Sequence, residues 1–351
     1  MPRQLRLTKF NKLDINDPFF DSLKEGYAAD FVGWFEKKKD EDLYVVDDGP
    51  VLSGMVYLKR EDGEVKDVKP PLPDQAWLKV GTFKLERKGT KLGERVIKKI
   101  FDTALMEGVD GIYVTVFEVH AELIRLFERY GFEEWGTKET KNGVEKVYSR
   151  NLNAFKGDMI EDYPFIHRKN QNAWLLAIYP KFHTRLLPDS ILRNEAVEIV
   201  QDVSHTNTIH KVYIAHVSFA KMKKGDAVVF YRTKPKEEKA PAYFRSVATS
   251  VCVVEEVKQR KDFADIDDFL KYCKPRSVYD EAELRHEYNR SGVLSVAKMT
   301  YNAAFNRRLT RKVLIEDVEI GGLRWNLVPL SRKQFDDIVR LGDLNARLVV
   351  D

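Results

Sequence analysis

The chain has 351 residues, with 43% hydrophobic and 32% charged side chains and a formal net charge of +4, a composition typical of a folded protein of about two domains. It has no apolar run of about 18 residues and no basic, apolar and small-residue leader pattern, which argues against a membrane-spanning or secreted protein. The two cysteines, Cys252 and Cys273, form no CxxC pair, so we expect a reduced, cytoplasmic protein.

The first part of the chain is predicted to contain a helical region and two strands. Aromatic and aliphatic side chains recur at helical spacing between positions 20 and 35, which indicates a buried helical face rather than a ligand site. Two apolar runs, 43–46 and 51–58, flank the turn Asp47-Asp48-Gly49-Pro50 and predict strands. The charged, proline-containing segment 61–74 is predicted to be a loop, and residues 76–85 another strand.

A strand, a glycine-bearing basic turn and a helix follow one another in residues 76–106. The strand enters the turn Lys88-Gly89-Thr90-Lys91-Leu92-Gly93, and the helix predicted over 94–106 carries its apolar residues on one stripe, with charged residues on the rest. A strand over 111–117 and a helix over 121–130 complete the unit. Backbone N–H groups at a helix start attract anions, so this turn is a candidate site for a phosphate-containing cofactor.

The turn and a second short motif resemble the GNAT-type N-acetyltransferase superfamily. Its cofactor loop usually has the pattern Arg/Gln-x-x-Gly-x-Gly/Ala, and the six residues of this turn match it with lysine at the first and fourth positions. The run 126–132, Leu-Phe-Glu-Arg-Tyr-Gly-Phe, is similar to the family's Leu-Tyr-Glu-x-x-Gly-Phe. The resemblance implies an α/β domain, a mixed sheet with helices, that binds acetyl-CoA. The residues it assigns to the cofactor are Val80, Thr82, Lys88, Gly89, Thr90, Lys91, Leu92 and Gly93.

The resemblance leaves the general acid open. The family's tyrosine that protonates the departing CoA thiolate is replaced by Phe127, whose ring donates no proton. Tyr130, three residues later on the same helix, is an alternative donor, although packing is the simpler role for it. Four further side chains fall near the family's active-site groove: Glu118, His120, Tyr113 and Thr115. The candidate catalytic residues are therefore Tyr130, Glu118 and His120.

The residues after the second helix are predicted to complete the first domain. A turn at Lys141-Asn142-Gly143 joins two strands, the second of which ends at Arg150. The polar segment 151–170 follows, and we expect it to be an interdomain linker. The predicted domains are therefore 1–150, which binds acetyl-CoA, and 171–351.

The C-terminal domain is predicted to be a small β-barrel with helices. Strands are expected over 173–179, 211–217, 227–232 and 243–257, and helices over 262–272, 280–288 and 331–341. The opening strand, the Gly-Asp-x-Val-x-Phe-Tyr segment at 225–231 and the long strand that follows resemble the PUA-like superfamily, including its ASCH and EVE branches. This resemblance implies a domain that binds RNA or modified bases.

Charge and aromatic residues in this half are compatible with RNA binding. Residues 151–351 hold 33 basic and 27 acidic side chains, whereas residues 1–150 hold 26 and 28. Basic side chains would contact phosphates, and tyrosines would stack on unpaired bases. A solvated basic surface is an equally good interpretation. The candidate contacts are Lys221, Lys223, Lys224, Tyr231, Arg232, Tyr243, Arg245, Arg307, Arg308 and Arg311.

Three histidines, His205, His210 and His216, raise the question of a metal site. No cysteine or carboxylate cluster lies near them in the sequence, and metal-binding sites usually combine such ligands at short spacings. We therefore expect no metal.

The sequence thus predicts an acetyl-CoA-dependent N-acetyltransferase whose acceptor is RNA or aminoacyl-tRNA. GNAT-type enzymes that acetylate charged tRNA include toxins, so a toxin is compatible with the resemblance. The second hypothesis is a protein or small-molecule N-acetyltransferase with a structural C-terminal domain. The third is a non-enzymatic RNA-binding protein with a degenerate acetyltransferase domain. The expected partners are acetyl-CoA and RNA or tRNA, with no membrane, and a homodimer is left open.

Overall fold

The structure, a computed structural model, describes residues 5–27, 29–48, 51–86, 92–169, 171–187 and 208–351. The chain divides into two compact units, Met1–Asp162 and Tyr163–Asp351. Each unit combines helices with a mixed β-sheet, so the predicted mixed α/β fold class is confirmed. Within the described ranges, every helix is too short or too polar to cross a membrane.

The N-terminal unit is a seven-stranded sheet with helices. Its strands are β1 (Leu5–Lys9), β2 (Asp42–Asp48), β3 (Val51–Val65), β4 (Leu72–Leu85), β5 (Gly111–Val116), β6 (Glu133–Thr140) and β7 (Gly143–Asn151). Its helices are α1 (Asp21–Tyr27), α2 (Ala29–Lys37), α3 (Leu92–Glu107) and α4 (Ala121–Arg129). The strand order is β1-β2-β3-β4-β5-β7-β6. Neighbouring strands are antiparallel except β4 and β5, which are parallel.

The β3–β4 hairpin is longer than the sequence predicted. Much of the expected loop 61–74 is strand, because Glu61 pairs with Trp77 and the ladder continues to the pair Val65–Leu72. The reason is an apolar stripe among the charges of this segment. Its members are buried together with residues of β5 and β7 in one cluster: Val65, Val68, Leu72, Trp77, Tyr113 and Val147.

The aromatic residues near the N-terminus form a core, as predicted. Phe20, Phe31 and Phe35 are buried, and their rings pack against one another with centroids 5.3 to 6.1 Å apart. Such pairs stabilise a core beyond the area they bury. These side chains are therefore structural.

Helix α3 buries part of its charged face. Its apolar residues are buried as expected, but Glu94, Arg95 and Lys98 are buried as well, not solvated. The Lys98 Nζ lies 2.6 Å from Asp102 Oδ2, one turn later. Because this pair satisfies the ammonium group, part of the cost of burying it is offset.

The segment predicted to be a linker, 151–170, is packed in its described part. Asp162 is buried in the N-terminal unit, and its Oδ1 lies 3.5 Å from Nη2 of the buried Arg150. Tyr163 and Ile166 are buried in the C-terminal unit. Burial of these side chains within the two units explains why this polar sequence is not an extended connection.

The C-terminal unit contains a six-stranded sheet, a two-stranded sheet and short helices. Its strands are β8 (Ile166–His167), β9 (Ala173–Ile178), β10 (His210–Ala215), β11 (Ala227–Arg232), β12 (Val247–Gln259), β13 (Ser295–Thr310), β14 (Leu327–Leu330) and β15 (Val349–Val350). Its helices are α5 (Pro180–Leu186), α6 (Ala242–Arg245), α7 (Ile266–Cys273), α8 (Glu281–Asn289), α9 (Arg311–Glu316) and α10 (Arg332–Leu341). The larger sheet has the order β10-β13-β12-β11-β9-β14, and β8 pairs with β15.

Two features of this unit differ from the sequence prediction. The long strand expected over 243–257 begins only at Val247, because Pro241 starts the short helix α6 before it. The longest strand, β13, was not predicted, since its apolar residues are interrupted by Lys298, Asn302 and Asn306.

The predicted barrel is observed as a sheet with two edges. In the described part of the chain, β10 pairs as a strand only with β13, and β14 pairs only with β9. Register shifts along β11, β12 and β13 bend these strands locally.

Candidate functional site

Two parallel strands of the N-terminal sheet separate at their C-terminal halves. β4 and β5 are paired from Trp77–Gly111 to Val80–Val114. Beyond that point, within the described residues, positions 82–85 of β4 pair only with β3, and positions 115–116 of β5 pair only with β7. Each strand therefore presents an edge of backbone N–H and C=O groups without a strand partner. An extended, amide-bearing ligand can hydrogen-bond to such edges.

A bulge at Gly81 accompanies this separation. The β3–β4 register passes from Tyr57–Thr82 to Leu58–Val80, so Gly81 is an extra residue in β4, and a bulge bends its strand. A Cβ atom at Gly81 would lie 2.7 Å from Tyr57 Cδ1. The Tyr57 hydroxyl donates a hydrogen bond to Glu41, which holds the ring in place. Gly81 was not singled out from the sequence, although a glycine inside an apolar strand is a signal for a bulge.

The predicted cofactor residues are only partly described. Lys88, Gly89, Thr90 and Lys91 lie outside the described residues. Val80 is at the last β4–β5 pair and Thr82 is on the segment of β4 beyond it. Leu92 and Gly93 lie in the first turn of α3, where a Cβ atom at Gly93 would come within 2.8 Å of Leu126 on α4. The described members thus lie at the carboxyl end of β4 and at the start of the following helix, which is where open α/β sheets bind ligands.

The candidate catalytic residues occupy different ends of α4. Glu118 and His120 are exposed in the turn between β5 and α4, and the Glu118 carboxylate lies 3.3 Å from Lys146 Nζ. Tyr130 is the C-cap of α4 and is fully buried. Nine helical residues span about 13 Å. The structure therefore places Glu118 and His120 together, and Tyr130 well away from them.

Phe127 is a packing residue in the described structure. Its side chain is fully buried, and its ring centroid lies 6.0 Å from that of Phe83 on β4 and 4.9 Å from that of Phe132. The ring therefore links α4 to the segment of β4 that has separated from β5.

A polar groove lies along the β3–β4 hairpin and ends at Lys79, one residue before the last β4–β5 pair. It has a volume of about 690 Å³ and is lined by residues 59–67 of the β3–β4 hairpin and by Lys79. Lys79 pairs in register with Tyr113 on β5 and with Lys59 on β3, so these side chains share one face of the sheet. The Tyr113 hydroxyl donates a hydrogen bond to Glu61, and Lys79 Nζ lies 3.7 Å from Glu61 Oε1. Of this cluster, the sequence had indicated only Tyr113.

Burial and charge alter the protonation of this cluster. Burial raises the pKa of the Tyr113 hydroxyl, and the bond to Glu61 raises it further. Burial alone would raise the pKa of the Glu61 carboxyl, but the Tyr113 hydrogen bond and the charges of Lys79 and Lys59 hold that pKa below its ordinary value. Burial lowers the pKa of Lys79, although Glu61 opposes this effect. At neutral pH the groove therefore holds an ionised Glu61, a protonated Tyr113 and an ammonium group that loses its proton more easily than usual.

Two of the RNA contacts expected in the C-terminal unit are inaccessible. Tyr231 and Arg232 are 2% and 5% exposed, because β11 lies inside the six-stranded sheet between β9 and β12. The Tyr231 ring packs 5.3 Å from that of Trp325. Arg308 is partly buried, and its Nη1 donates to the Thr249 carbonyl over 3.2 Å. The continuous apolar run Ala-Val-Val-Phe of β11, which leads into Tyr231, is the signal that could have identified Tyr231 as a core residue.

The other expected contacts remain at the surface. Five are exposed: Lys221, Lys223, Lys224, Arg245 and Arg307. Tyr243 is half-buried, and its hydroxyl donates to Glu316. Arg311 lies over the Trp325 ring, 4.4 Å from its centroid. Phe244, which the sequence analysis did not select, is 56% exposed beside Tyr243 and Arg245 on α6.

Three described histidines of this unit, His183, His210 and His216, contact other polar side chains. His210 contacts Glu255, and His216 Nε2 lies 2.6 Å from Glu287 Oε2. His205 lies outside the described residues. Within the described ranges, no three histidine, cysteine or acidic side chains are grouped as metal ligands. His183 is fully buried with its Nε2 2.9 Å from Thr249 Oγ1, and burial together with the charges of Arg232 and Arg308 lowers its pKa to about 3.

The chain was compared with known proteins, and the similar proteins found are solved structures. No family model and no curated protein sequence matches the chain. ASCH from Zymomonas mobilis is 10% identical with a TM-score of 0.34, over 48% of this chain and 94% of that protein. A putative phosphinothricin N-acetyltransferase is 18% identical with a TM-score of 0.31, over 42% and 98%. A Bacillus subtilis acetyltransferase in complex with CoA is 13% identical with a TM-score of 0.31, over 42% and 99%.

Proposed function

We propose that this protein is an acetyl-CoA-dependent N-acetyltransferase. The observation that carries the proposal is the separation of β4 and β5 after Val80 and Val114, next to the start of α3. The residues present suit the ligand. Two backbone edges face a gap that an amide-bearing arm can enter, and the N–H groups at the start of α3 attract phosphate.

The groove that ends at Lys79 is suited to the acceptor. When bound, acetyl-CoA supplies an activated acetyl group as a thioester. The ionised Glu61 carboxylate, oriented by Tyr113, is placed to hold an amine. Glu118 and His120 lie at the same edge of the sheet as the gap, in the turn after β5, and remain the candidates for accepting the amine proton.

We infer that the acceptor is RNA or aminoacyl-tRNA, held by the exposed basic residues of the C-terminal unit. The support is the basic balance of residues 151–351, 33 against 27 side chains, together with the exposed Phe244 beside Arg245. A phenyl ring next to a guanidinium suits a stacked, unpaired base with its phosphate.

A protein or small-molecule amine is the second candidate acceptor. The observation that favours it is the burial of Tyr231 and Arg232, which removes two of the expected RNA contacts. The groove of the N-terminal unit is also large enough, at about 690 Å³, for a small molecule.

One experiment tests the activity and separates the acceptors. The purified protein is incubated with labelled acetyl-CoA and, separately, with total RNA, total protein and a mixture of small amines. Label in RNA supports the first acceptor, and label in protein or small amines supports the second. Calorimetry with CoA tests the cofactor, and no binding would leave the proposed activity without support.

A further inference from the structure

Lys79 lies at the point where the two central strands separate. Its register partner on β5 is Tyr113, and the next pair, Val80–Val114, is the last one before the gap. Gly81, the bulged residue, follows immediately. Because side chains alternate along a strand, Lys79 points to the opposite face from its buried neighbours Leu78 and Val80. Its side chain therefore enters the groove at the end nearest to the gap.

The environment of Lys79 is that of a nucleophilic amine. Its side chain is 22% exposed, so it is largely desolvated but still open to the groove. Glu61 Oε1 lies 3.7 Å from its Nζ, and the Tyr113 ring centroid lies 5.4 Å from it. Asp67, Lys59 and Lys138 are the other charged groups that act on it. Burial, Lys138 and Lys59 lower the pKa of Lys79, while Glu61 and Asp67 raise it, and the net shift is downward.

This arrangement places an amine where an acceptor is needed. In the proposed function, Glu61 holds the incoming amine beside the thioester. In the structure, the Lys79 amine already lies near that carboxylate. Other lysines of this unit, such as Lys66 and Lys69, have side chains that are 80% and 72% exposed, so they lack the desolvated environment of Lys79.

We propose that Lys79 is an internal acetyl acceptor, which the protein acetylates from its own bound acetyl-CoA. This inference rests on the proposed function. The Nζ lone pair attacks the thioester carbonyl carbon, so a C–N bond forms and the C–S bond breaks. The electron pair of the broken bond leaves with the CoA sulfur, which takes a proton from solvent. The proton released from Nζ passes to Glu61 or to solvent, and nothing is oxidised or reduced.

Acetylation changes the charge of the groove. The amide has no positive charge, so Glu61 loses one of the cations that stabilise its ionised form. The acetyl group also occupies space beside the gap. We therefore expect the modified protein to bind an external amine differently from the unmodified protein.

The test uses the full chain, labelled acetyl-CoA and no added acceptor, with peptide mapping of the label. The variants are Lys79→Arg and, as a control lysine outside the groove, Lys69→Arg. We expect label at Lys79 in the wild type and in Lys69→Arg, and a loss of at least about tenfold in labelling rate in Lys79→Arg. An excess of unlabelled CoA should suppress the labelling, because the reaction uses the bound thioester.

Two results would overturn the inference. One is label spread over exposed lysines such as Lys66 and Lys69 at rates equal to that of Lys79, since this is ordinary chemical acetylation. The other is CoA binding by calorimetry with no label at Lys79, which removes the inference and leaves the proposed function intact. Absence of CoA binding removes both. Circular dichroism and the melting temperature of Lys79→Arg show whether loss of label is loss of fold.

Discussion

Val80 and Val114 form the last pair between β4 and β5, and the residue after Val80 is the bulged Gly81. A parallel pair that ends within both strands leaves backbone groups without a strand partner, and residues 82–85 of β4 are half-exposed, so an extended ligand can reach them. In the proposed function, the cofactor completes the hydrogen bonding of these edges.

Replacing Gly81 with valine should weaken CoA binding. The new Cβ would meet Tyr57 Cδ1 at 2.7 Å, and Tyr57 is held by Glu41, so β4 must shift. Overpacking of this kind costs about 1–3 kcal/mol of stability. We expect CoA affinity, measured by calorimetry well below the melting temperature, to fall by at least about tenfold.

Gly33→Ala is the control for this variant. No atom lies within 4 Å of a Cβ atom built at Gly33, and alanine in a helix is favoured over glycine by about 0.5–1 kcal/mol. CoA affinity should be unchanged. Equal affinities in wild type and Gly81→Val would show that the ligand does not use this part of β4.

Tyr130→Phe should leave turnover within about threefold of the wild type. Tyr130 is fully buried at the C-terminal end of α4, away from the turn with Glu118 and His120. The measurement is the steady-state rate of acetyl transfer with saturating acetyl-CoA. A loss of about tenfold or more, equivalent to about 1.4 kcal/mol of barrier, would make this hydroxyl the proton donor.

Phe127→Tyr is the companion test. The added hydroxyl would enter a fully buried site packed between Phe83 and Phe132. An unsatisfied buried hydroxyl costs about 1–3 kcal/mol, so urea unfolding should show this loss. Turnover per folded molecule should not fall greatly. Stability equal to the wild type, with higher turnover, would indicate that the hydroxyl reaches the gap and takes the family's acid role.

Much of the N-terminal unit follows from its sequence, whereas the groove does not. Strand β5 and helices α3 and α4 were predicted because their apolar periodicity is local. Glu61, Lys79 and Tyr113 of the groove lie on three different strands. Their proximity depends on the register between these strands, which the local sequence does not reveal. The segment 61–74 was assigned to a loop because its sequence is rich in charge and proline. Val65 and Leu72 become core residues only when the hairpin folds back.

In the C-terminal unit, residue type alone did not identify which side chains are accessible to RNA. Tyr231 and Arg232 have residue types suited to RNA, but both are buried in a central strand. Phe244 has the exposed position that stacking requires. Its neighbouring residues along the chain gave no sign that it is exposed rather than part of the core. Exposure is a tertiary property, so it could not be obtained from residue type alone.

RNA binding by the full chain should depend on the exposed basic residues. The double variant Lys223→Ala and Arg245→Ala should flatten the salt dependence of binding. The logarithm of the binding constant falls linearly with the logarithm of the salt concentration, and each lost contact to a phosphate of single-stranded RNA reduces the steepness of that line by about 0.7. Tyr231→Phe should have no effect, because that side chain is buried. Undetectable RNA binding at about 50 mM salt, where electrostatic affinity is high, would favour the small-molecule or protein acceptor.

Phe244→Ala should weaken single-stranded RNA more than duplex RNA. Only unpaired bases can stack on an exposed ring, and one such stacked base is worth about 1–3 kcal/mol. The comparison is made by filter binding or fluorescence anisotropy with both RNAs at one salt concentration. An equal loss of affinity for both RNAs would point to a general effect on the fold, not to stacking.

The C-terminal unit should lose stability as the pH falls below about 6.5, in part through His183. Burial and the charges of Arg232 and Arg308 lower its pKa from 6.5 to about 3. The unfolded chain therefore binds a proton that the folded chain does not between these values, so stability is present above pH 6.5 and is lost towards pH 3.

His183→Gln removes this titration. Between pH 6.5 and 5, the wild type should lose about 1–2 kcal/mol more than the variant in urea unfolding of this unit, since one proton is worth about 1.4 kcal/mol per pH unit. Parallel losses in the two proteins would mean that His183 is protonated in the folded state.

The most direct measurement of the central claim is amide hydrogen exchange with and without CoA. If CoA occupies the gap between β4 and β5, amides in peptides covering residues 81–85 and 115–116 should exchange more slowly when CoA is present, together with those of the first turn of α3. Peptides of the C-terminal unit should be unaffected. Protection that is absent from both strand segments, or that appears only in the C-terminal unit, would contradict the account.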